Sequence, residues 1–173
     1  MRFFKFLLFI TLLFTACKND TTNTNQEVKS KVSDSLKLTP KEVSKINFKD
    51  IGLDSKTNTV ISNWQAYLNI VNGIENLKTA DFTFFNTDID VFNSSLKDFE
   101  NTIPEAINSE PVKARVLVLK TMLYKFHEIE SLITSTKNEK LQSIQDVFVA
   151  LSNLNLQINK KVEKDSQVII KPY

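Results

Sequence analysis

The sequence predicts an all-α domain, an antiparallel four-helix-bundle-like fold with a short additional helix on its N-terminal side. Three observations carry that expectation. Phe82, Phe85, Ile89, Phe92, Leu96, Phe99 and Ile103 recur at spacings of 3 and 4, which keeps one apolar stripe on a single helix face. Thr39-Pro40-Lys41-Glu42 and Thr136-Lys137-Asn138-Glu139 each have the form of a capping box, in which hydroxyl and carboxylate satisfy the orphan amides of a helix start. Strand signals are weak outside residues 167–170, and no internal repeat is evident.

The domain is expected over residues 36–173. Its first helix, near 40–50, opens at the Thr39 box with Pro40 in the first turn, where the missing N–H has no intrahelical partner to lose. It ends before Gly52. The second, over 57–77, puts Ile61, Trp64, Leu68, Val71 and Ile74 on one face. Asn72-Gly73 is a turn signal inside it, and glycine costs about 1 kcal/mol in a helix interior. The sequence leaves open whether this helix continues, kinks or ends there. The third, over 80–103, carries the phenylalanine stripe and stops at Pro104. The fourth, over 111–134, opens at Ser109-Glu110-Pro111 and is expected to bury Val112, Val116, Leu119, Leu123, Phe126, Ile129 and Ile133. The last, over 138–163, carries Leu141, Ile144, Phe148, Leu151, Leu154, Ile158 and Val162. At about 1.5 Å per residue the four main helices are roughly 30–40 Å long, matched in length. Short links between matched helices favour antiparallel neighbours.

The N-terminal stretch has another character. Arg2 and Lys5 precede the apolar run from Phe6 to Phe14, and the small residues Thr15 and Ala16 precede Cys17. A basic start, a short apolar run and small residues at a cut make a secretory signal peptide, residues 1–16. A membrane-spanning helix needs about 20 apolar residues; this run is about half that and Lys18-Asn19-Asp20 ends it. Phe14-Thr15-Ala16-Cys17 resembles the lipobox of bacterial lipoproteins, with Phe14 standing where leucine is favoured. The resemblance implies cleavage before Cys17 and a diacylglycerol on its thiol. An ordinary signal peptide with an incidental cysteine and an uncleaved amphiphilic anchor are the competing readings, but Cys17 is the sole cysteine and stands where a lipobox requires it. Each buried methylene contributes about 0.8 kcal/mol, so two or more acyl chains anchor stably where one does not.

Residues 17–35 are read as the lipidated cysteine and a polar tether. Residues 18–35 carry only valine as a strongly apolar type, too little to offset the entropy of ordering. Such a chain has a root-mean-square reach of about 20–25 Å. Asp20-Thr21-Thr22 and Asp34-Ser35-Leu36 resemble the O-glycosylation sequon of Bacteroidota, which implies modification at Thr21 and Ser35. Together, the leader and the Asn-, Lys-, Ile- and Phe-rich body resemble small helical lipoproteins of Bacteroidota, a group without a common activity to transfer. Lys18, where aspartate is the usual inner-membrane retention signal, implies the outer membrane. Lys18-Asn19-Asp20 partly resembles the lysine-plus-acid signal for the cell surface, and the choice of face stays open.

Removing residues 1–16 also removes Arg2 and Lys5, leaving 20 basic against 20 acidic residues. No surplus of positive charge remains for nucleic acid, which needs clustered Lys and Arg. With Cys17 acylated, no cysteine is left for a disulfide, so the domain rests on its core.

Catalytic equipment is sparse. His127 is the single histidine, and a metal site needs several converging ligands, so neither metal nor other cofactor is expected. Only Gly52 and Gly73 occur, which excludes a glycine-rich phosphate loop. No nucleophile elbow is present. Asp88, Asp90, Asp98 and Glu100 are read as solvated charges beside the stripe. Trp64, Phe82 and Phe85 are the candidate lining of an apolar pocket, set against their plainer reading as core. Three functions follow as expectations: a non-catalytic envelope module that binds or scaffolds another protein, a carrier of an apolar ligand between the helices, and a hydrolase using helical carboxylates. The first is favoured.

Overall fold

The computed structural model describes residues 37–167. The leader, Cys17, the tether with Thr21 and Ser35, and residues 168–173 lie outside the described residues. Within them the chain is all-helical, with six α-helices and no strand: α1 Pro40–Val43, α2 Ser55–Ile61, α3 Gln65–Leu77, α4 Ile89–Asn101, α5 Glu110–Ser131 and α6 Lys137–Ser166. A 3-10 turn, Glu105–Ile107, joins α4 to α5. α5 and α6 form the most extensive helix pair, and α3 and α4 form the second.

Both capping boxes are made. Thr39 N donates to Glu42 Oε2 at 2.8 Å in the first, and Thr136 N donates to Glu139 Oε2 at 2.7 Å in the second. The first helix is nevertheless shorter than the 40–50 expected. It stops at Val43 because the following backbone finds better partners on α6. Gln145 Nε2 donates to the Asn47 carbonyl at 2.7 Å, and Asn155 Nδ2 to the Ile51 carbonyl at 2.9 Å. Asn159 Nδ2 donates to the Gly52 carbonyl at 3.0 Å, and its Oδ1 accepts from Asp54 N at 3.1 Å. Residues 46–54 therefore run as a strap along one polar row of α6.

The helix expected over 57–77 is two helices. α2 is capped by the Asp54 carboxylate, which accepts from Thr57 N at 2.7 Å, and it ends at Ile61. The chain turns through Ser62 and Asn63 before Trp64 starts α3. That break re-phases the apolar face. α3 buries Tyr67, Ile70, Ile74 and Leu77, whereas Leu68, expected inside, is 40% exposed. The open question at Gly73 is answered by continuity: α3 passes through it to Leu77. A Cβ at residue 73 would lie 2.5 Å from Phe84 Cγ, so this glycine is where the ring of the next loop meets the helix.

The third helix also starts later than expected. The Asp81 carboxylate accepts from Thr83 N at 2.9 Å and from its hydroxyl at 2.6 Å, closing a turn that competes with helix. Phe82 and Phe85 thus sit in a turn, and α4 opens at Ile89 behind the Asp88 cap. Phe92, Leu96 and Phe99 keep the buried seam; Ile89, expected within it, is 47% exposed. α5 ends at Ser131, which leaves Ile133 outside the helix and 89% exposed rather than buried. α4 reads against α5 in reverse order, since Phe92 contacts His127 and Glu100 pairs with Lys120. α6 runs three residues past the expected end. The main helices are 13, 13, 22 and 30 residues long, two short and two long rather than matched.

Candidate functional site

The three residues proposed for an apolar pocket fall into two groups of rings. Trp64, 1% exposed, stacks on Tyr67 at 5.1 Å and on Phe99 at 5.2 Å between ring centroids. Its indole N–H donates to Thr102 Oγ1 at 3.2 Å. Phe85 meets Phe126 edge-on at 4.7 Å, and Phe82 tilts over the same Phe126 ring at 6.1 Å. Phe84 and Phe92 complete that second group. Aromatic neighbours pack against each of the three, and Trp64 also lines an open pocket of about 360 Å³ whose other lining is mostly polar, including Asn63, Gln65, Asn69, Asp98 and Thr102.

His127 lies against Phe92, with ring centroids 4.5 Å apart, and its Nε2 is buried without a hydrogen-bond partner. Among the described residues no group of three or more His, Cys, Asp or Glu is placed to hold a metal ion. Among them, too, no helix is long and apolar enough to cross a membrane.

An open cleft of about 940 Å³ lies where α1, the start of the strap, the end of α5 and the beginning of α6 converge. Ile46, Ile129 and Leu141 supply its apolar surface, and Lys45, Asn138, Gln142 and Gln145 its polar one. The walls are fixed by long-range pairs. Lys137 Nζ donates to Glu42 Oε1 at 2.9 Å, tying the first turn of α6 to α1. Lys125 Nζ meets Asp146 Oδ2 at 2.7 Å across α5 and α6, and Gln142 Nε2 donates to the other oxygen of Asp146 at 3.0 Å. Lys140 and Glu130 pair at 3.0 Å with side chains only 12% and 15% exposed.

These contacts set the protonation of Glu42 and Glu139, which line the cleft, and of Asp146, which pairs with its Lys125 and Gln142. Hydrogen bonds from the Lys137 ammonium and from the Thr39 side chain and backbone hold Glu42 down at about 2. The backbone and side chain of Thr136 lower Glu139. Burial raises Asp146, but the bonds from Lys125 and Gln142 outweigh it and the net shift is downward. All three are anions at neutral pH, already occupied as caps and ion-pair partners. The arrangement sets apolar side chains beside amides and charged groups.

Sequence reasoning passed over this cleft. One signal was present: polar side chains recur along α6 at helical spacing, at Asn138, Gln142, Gln145, Ser152, Asn155 and Asn159. A helix carrying a second, amide-rich row beside its apolar seam has something polar to hold. In this chain it holds the strap and lines the cleft.

No protein-family model, curated protein or solved structure matches the chain.

Proposed function

We propose that the chain is an exported lipoprotein, anchored through lipid on Cys17 and facing the periplasm or the outside from the outer membrane, whose helical domain is a non-catalytic binding module for another envelope protein. The observation that carries the binding role is the cleft whose lining combines Ile46, Ile129 and Leu141 with carboxamides, lysines and the two cap glutamates. Such a mixture suits a peptide segment, whose backbone needs hydrogen-bond partners and whose side chains need apolar contact. The anchor rests on the lipobox-like Phe14-Thr15-Ala16-Cys17. A catalytic reading draws less support, because the cleft carboxylates are engaged and depressed rather than poised near neutral pH. An apolar-carrier reading draws less as well, since the pocket that Trp64 lines is otherwise mostly polar, and Phe82 and Phe85 pack on Phe126.

The test is crosslinking in intact envelopes with tagged mature protein, compared with a Lys45→Glu, Gln142→Lys double variant. Gln142 and Lys45 are exposed, so the variant keeps its fold. The expected outcome is a crosslinked protein seen with the native chain and lost with the variant. Identical crosslinking by both would remove the cleft from the account.

A further inference from the structure

The strap shows how α6 holds a piece of backbone. Gln145 donates to the Asn47 carbonyl at one end, and Asn159 accepts from Asp54 N at the other. From Gln145 to Asn159 is 14 steps along α6, about 21 Å at the helical rise. The strap covers that distance in the 7 steps from Asn47 to Asp54. Its advance is therefore about 3 Å per residue, that of an extended chain. A helix laid on the same row would advance half as far. The carboxamides take main-chain groups, since Asn155 and Asn159 donate to the Ile51 and Gly52 carbonyls.

The row continues where the strap does not. The strap joins α6 only at Asn47, while carboxamides carry on through Gln142 to Asn138 along the wall of the cleft. Asn138 to Gln145 is 7 steps, about 10 Å of helix, with room for about three or four extended residues. Gln142 gives its Nε2 to Asp146, and among the described residues the Asn138 carboxamide has no hydrogen-bond partner. Ile46, Ile129 and Leu141 line the same cleft. Most of its charge is committed: Glu42 to Lys137, Lys125 to Asp146, and Glu139 to Thr136 at the start of α6. Among the described residues, Lys45 is the lining cation left without a carboxylate, and it is exposed.

We propose that the cleft takes an extended acidic peptide segment of the partner, laid along Asn138 and Gln142 as the strap is laid along Gln145, Asn155 and Asn159. An apolar side chain of the segment meets Ile129 and Leu141, and an aspartate or glutamate side chain meets Lys45. The proposal rests on the binding-module reading above and adds the partner's conformation and charge. The strap is its physical precedent, with the same helix, the same side-chain type and the same main-chain groups. Main-chain hydrogen bonds hold such a segment, and contacts to its side chains select it. A separate segment loses more freedom on binding than the strap, which the chain holds at both ends. The apolar contact and the Lys45 charge offset that loss.

The experiment titrates the full chain, purified from membranes in detergent micelles, into fluorescein-labelled peptides and reads polarisation against empty micelles. The probes are the linear peptide Gly-Ser-Leu-Asp-Leu-Ser-Gly, its counterpart with lysine in place of aspartate, and a peptide of the same leucines and aspartate stapled as a helix. The linear acidic peptide is expected to bind saturably, about threefold tighter than the lysine peptide, and tighter than the stapled one. Lys45→Glu should reverse the order of the two linear peptides. Asn138→Ala should weaken both by about threefold, since it removes a main-chain contact that neither sequence alters. Tighter binding of the stapled peptide would replace the extended occupant by a helix and leave the binding module standing. Equal binding of the two linear peptides, unchanged by Lys45→Glu, would overturn the acidic partner. If no peptide bound while envelope crosslinking still depended on Lys45 and Gln142, the extended acidic segment would fall and the cleft would stay. Absence of both would overturn the binding reading itself.

Discussion

Asn155 is 7% exposed on the face of α6 that otherwise buries Leu151, Leu154 and Ile158. It accepts from the Tyr67 hydroxyl at 2.7 Å and donates to the Ile51 carbonyl at 2.9 Å, so one carboxamide satisfies two groups from different parts of the chain. Burial raises the Tyr67 phenol, which stays a neutral donor. Asn155→Leu leaves that hydroxyl and that carbonyl without partners, and a loss of about 1–3 kcal/mol is expected. Tyr67→Phe removes one donor only and is expected to cost about 0.5–1.5 kcal/mol. Denaturant unfolding of the two single variants and the double variant checks this, with the double costing less than the sum. Gly73 makes the opposite kind of demand. Alanine there gains about 1 kcal/mol in helix propensity, but its Cβ would sit 2.5 Å from Phe84 Cγ and 3.0 Å from Phe84 Cβ. Overpacking of that sort costs about 1–3 kcal/mol, so Gly73→Ala is expected to lower Tm. In a Phe84→Ala background the same change is expected to be neutral or stabilising, which separates the clash from any general dislike of alanine.

At the scale of the element, three helix starts carry pH sensitivity. Glu42, Asp54 and Glu139 are all held below their usual range by hydrogen bonds at caps. Once unfolded, the two glutamates take up protons near pH 4.5 and Asp54 near 3.8, whereas the folded chain resists protonation to lower pH, for Glu42 to about 2. The unfolded state therefore binds more protons in that window, and stability falls as pH drops through it. Tm is expected to be level above about pH 5.5 and to fall steadily towards pH 3; Glu42→Gln and Glu139→Gln together should flatten that slope. Thr136→Ala, which breaks the second box, is expected to cost about 1 kcal/mol.

These same boxes were legible in the sequence because their partners are three residues apart. The seams of α5 and α6 were legible for the same reason, through Val112 to Phe126 and Ile144 to Val162. What misled was spacing without context. Phe82 and Phe85 continue the rhythm of Phe92, Leu96 and Phe99, yet the Asp81 carboxylate closes a turn on Thr83 and takes them out of the helix. Trp64 continues the rhythm of Ile61, yet its stacking on Phe99 and its bond to Thr102 belong with the break that re-phases α3. The strap was the least legible part, since its backbone groups pair with side chains 98 to 107 residues away.

At the scale of the whole molecule, the all-α class was readable because helices are local, and the cleft was not because its walls come from three distant stretches of chain. Ile46, Ile129 and Leu141 meet only after α1, α5 and α6 have packed. The exposed tip at Ile133 had the same obscurity: the periodicity of α5 carries it into the core, and only the helix end at Ser131 releases it. The cleft and the first described residues share one end of the bundle, where Glu42 of α1 pairs with Lys137 of α6. Everything in that account depends on lipid at Cys17. The most direct measurement is membrane fractionation of cells producing the native chain or Cys17→Ala, with the mass of the mature N-terminus determined in both. The native chain is expected in the membrane fraction, cut before Cys17 and heavier by a diacylglycerol and its further acylation, with the variant unprocessed or soluble. A variant that stays fully membrane-bound and is cut at the same place would contradict the account.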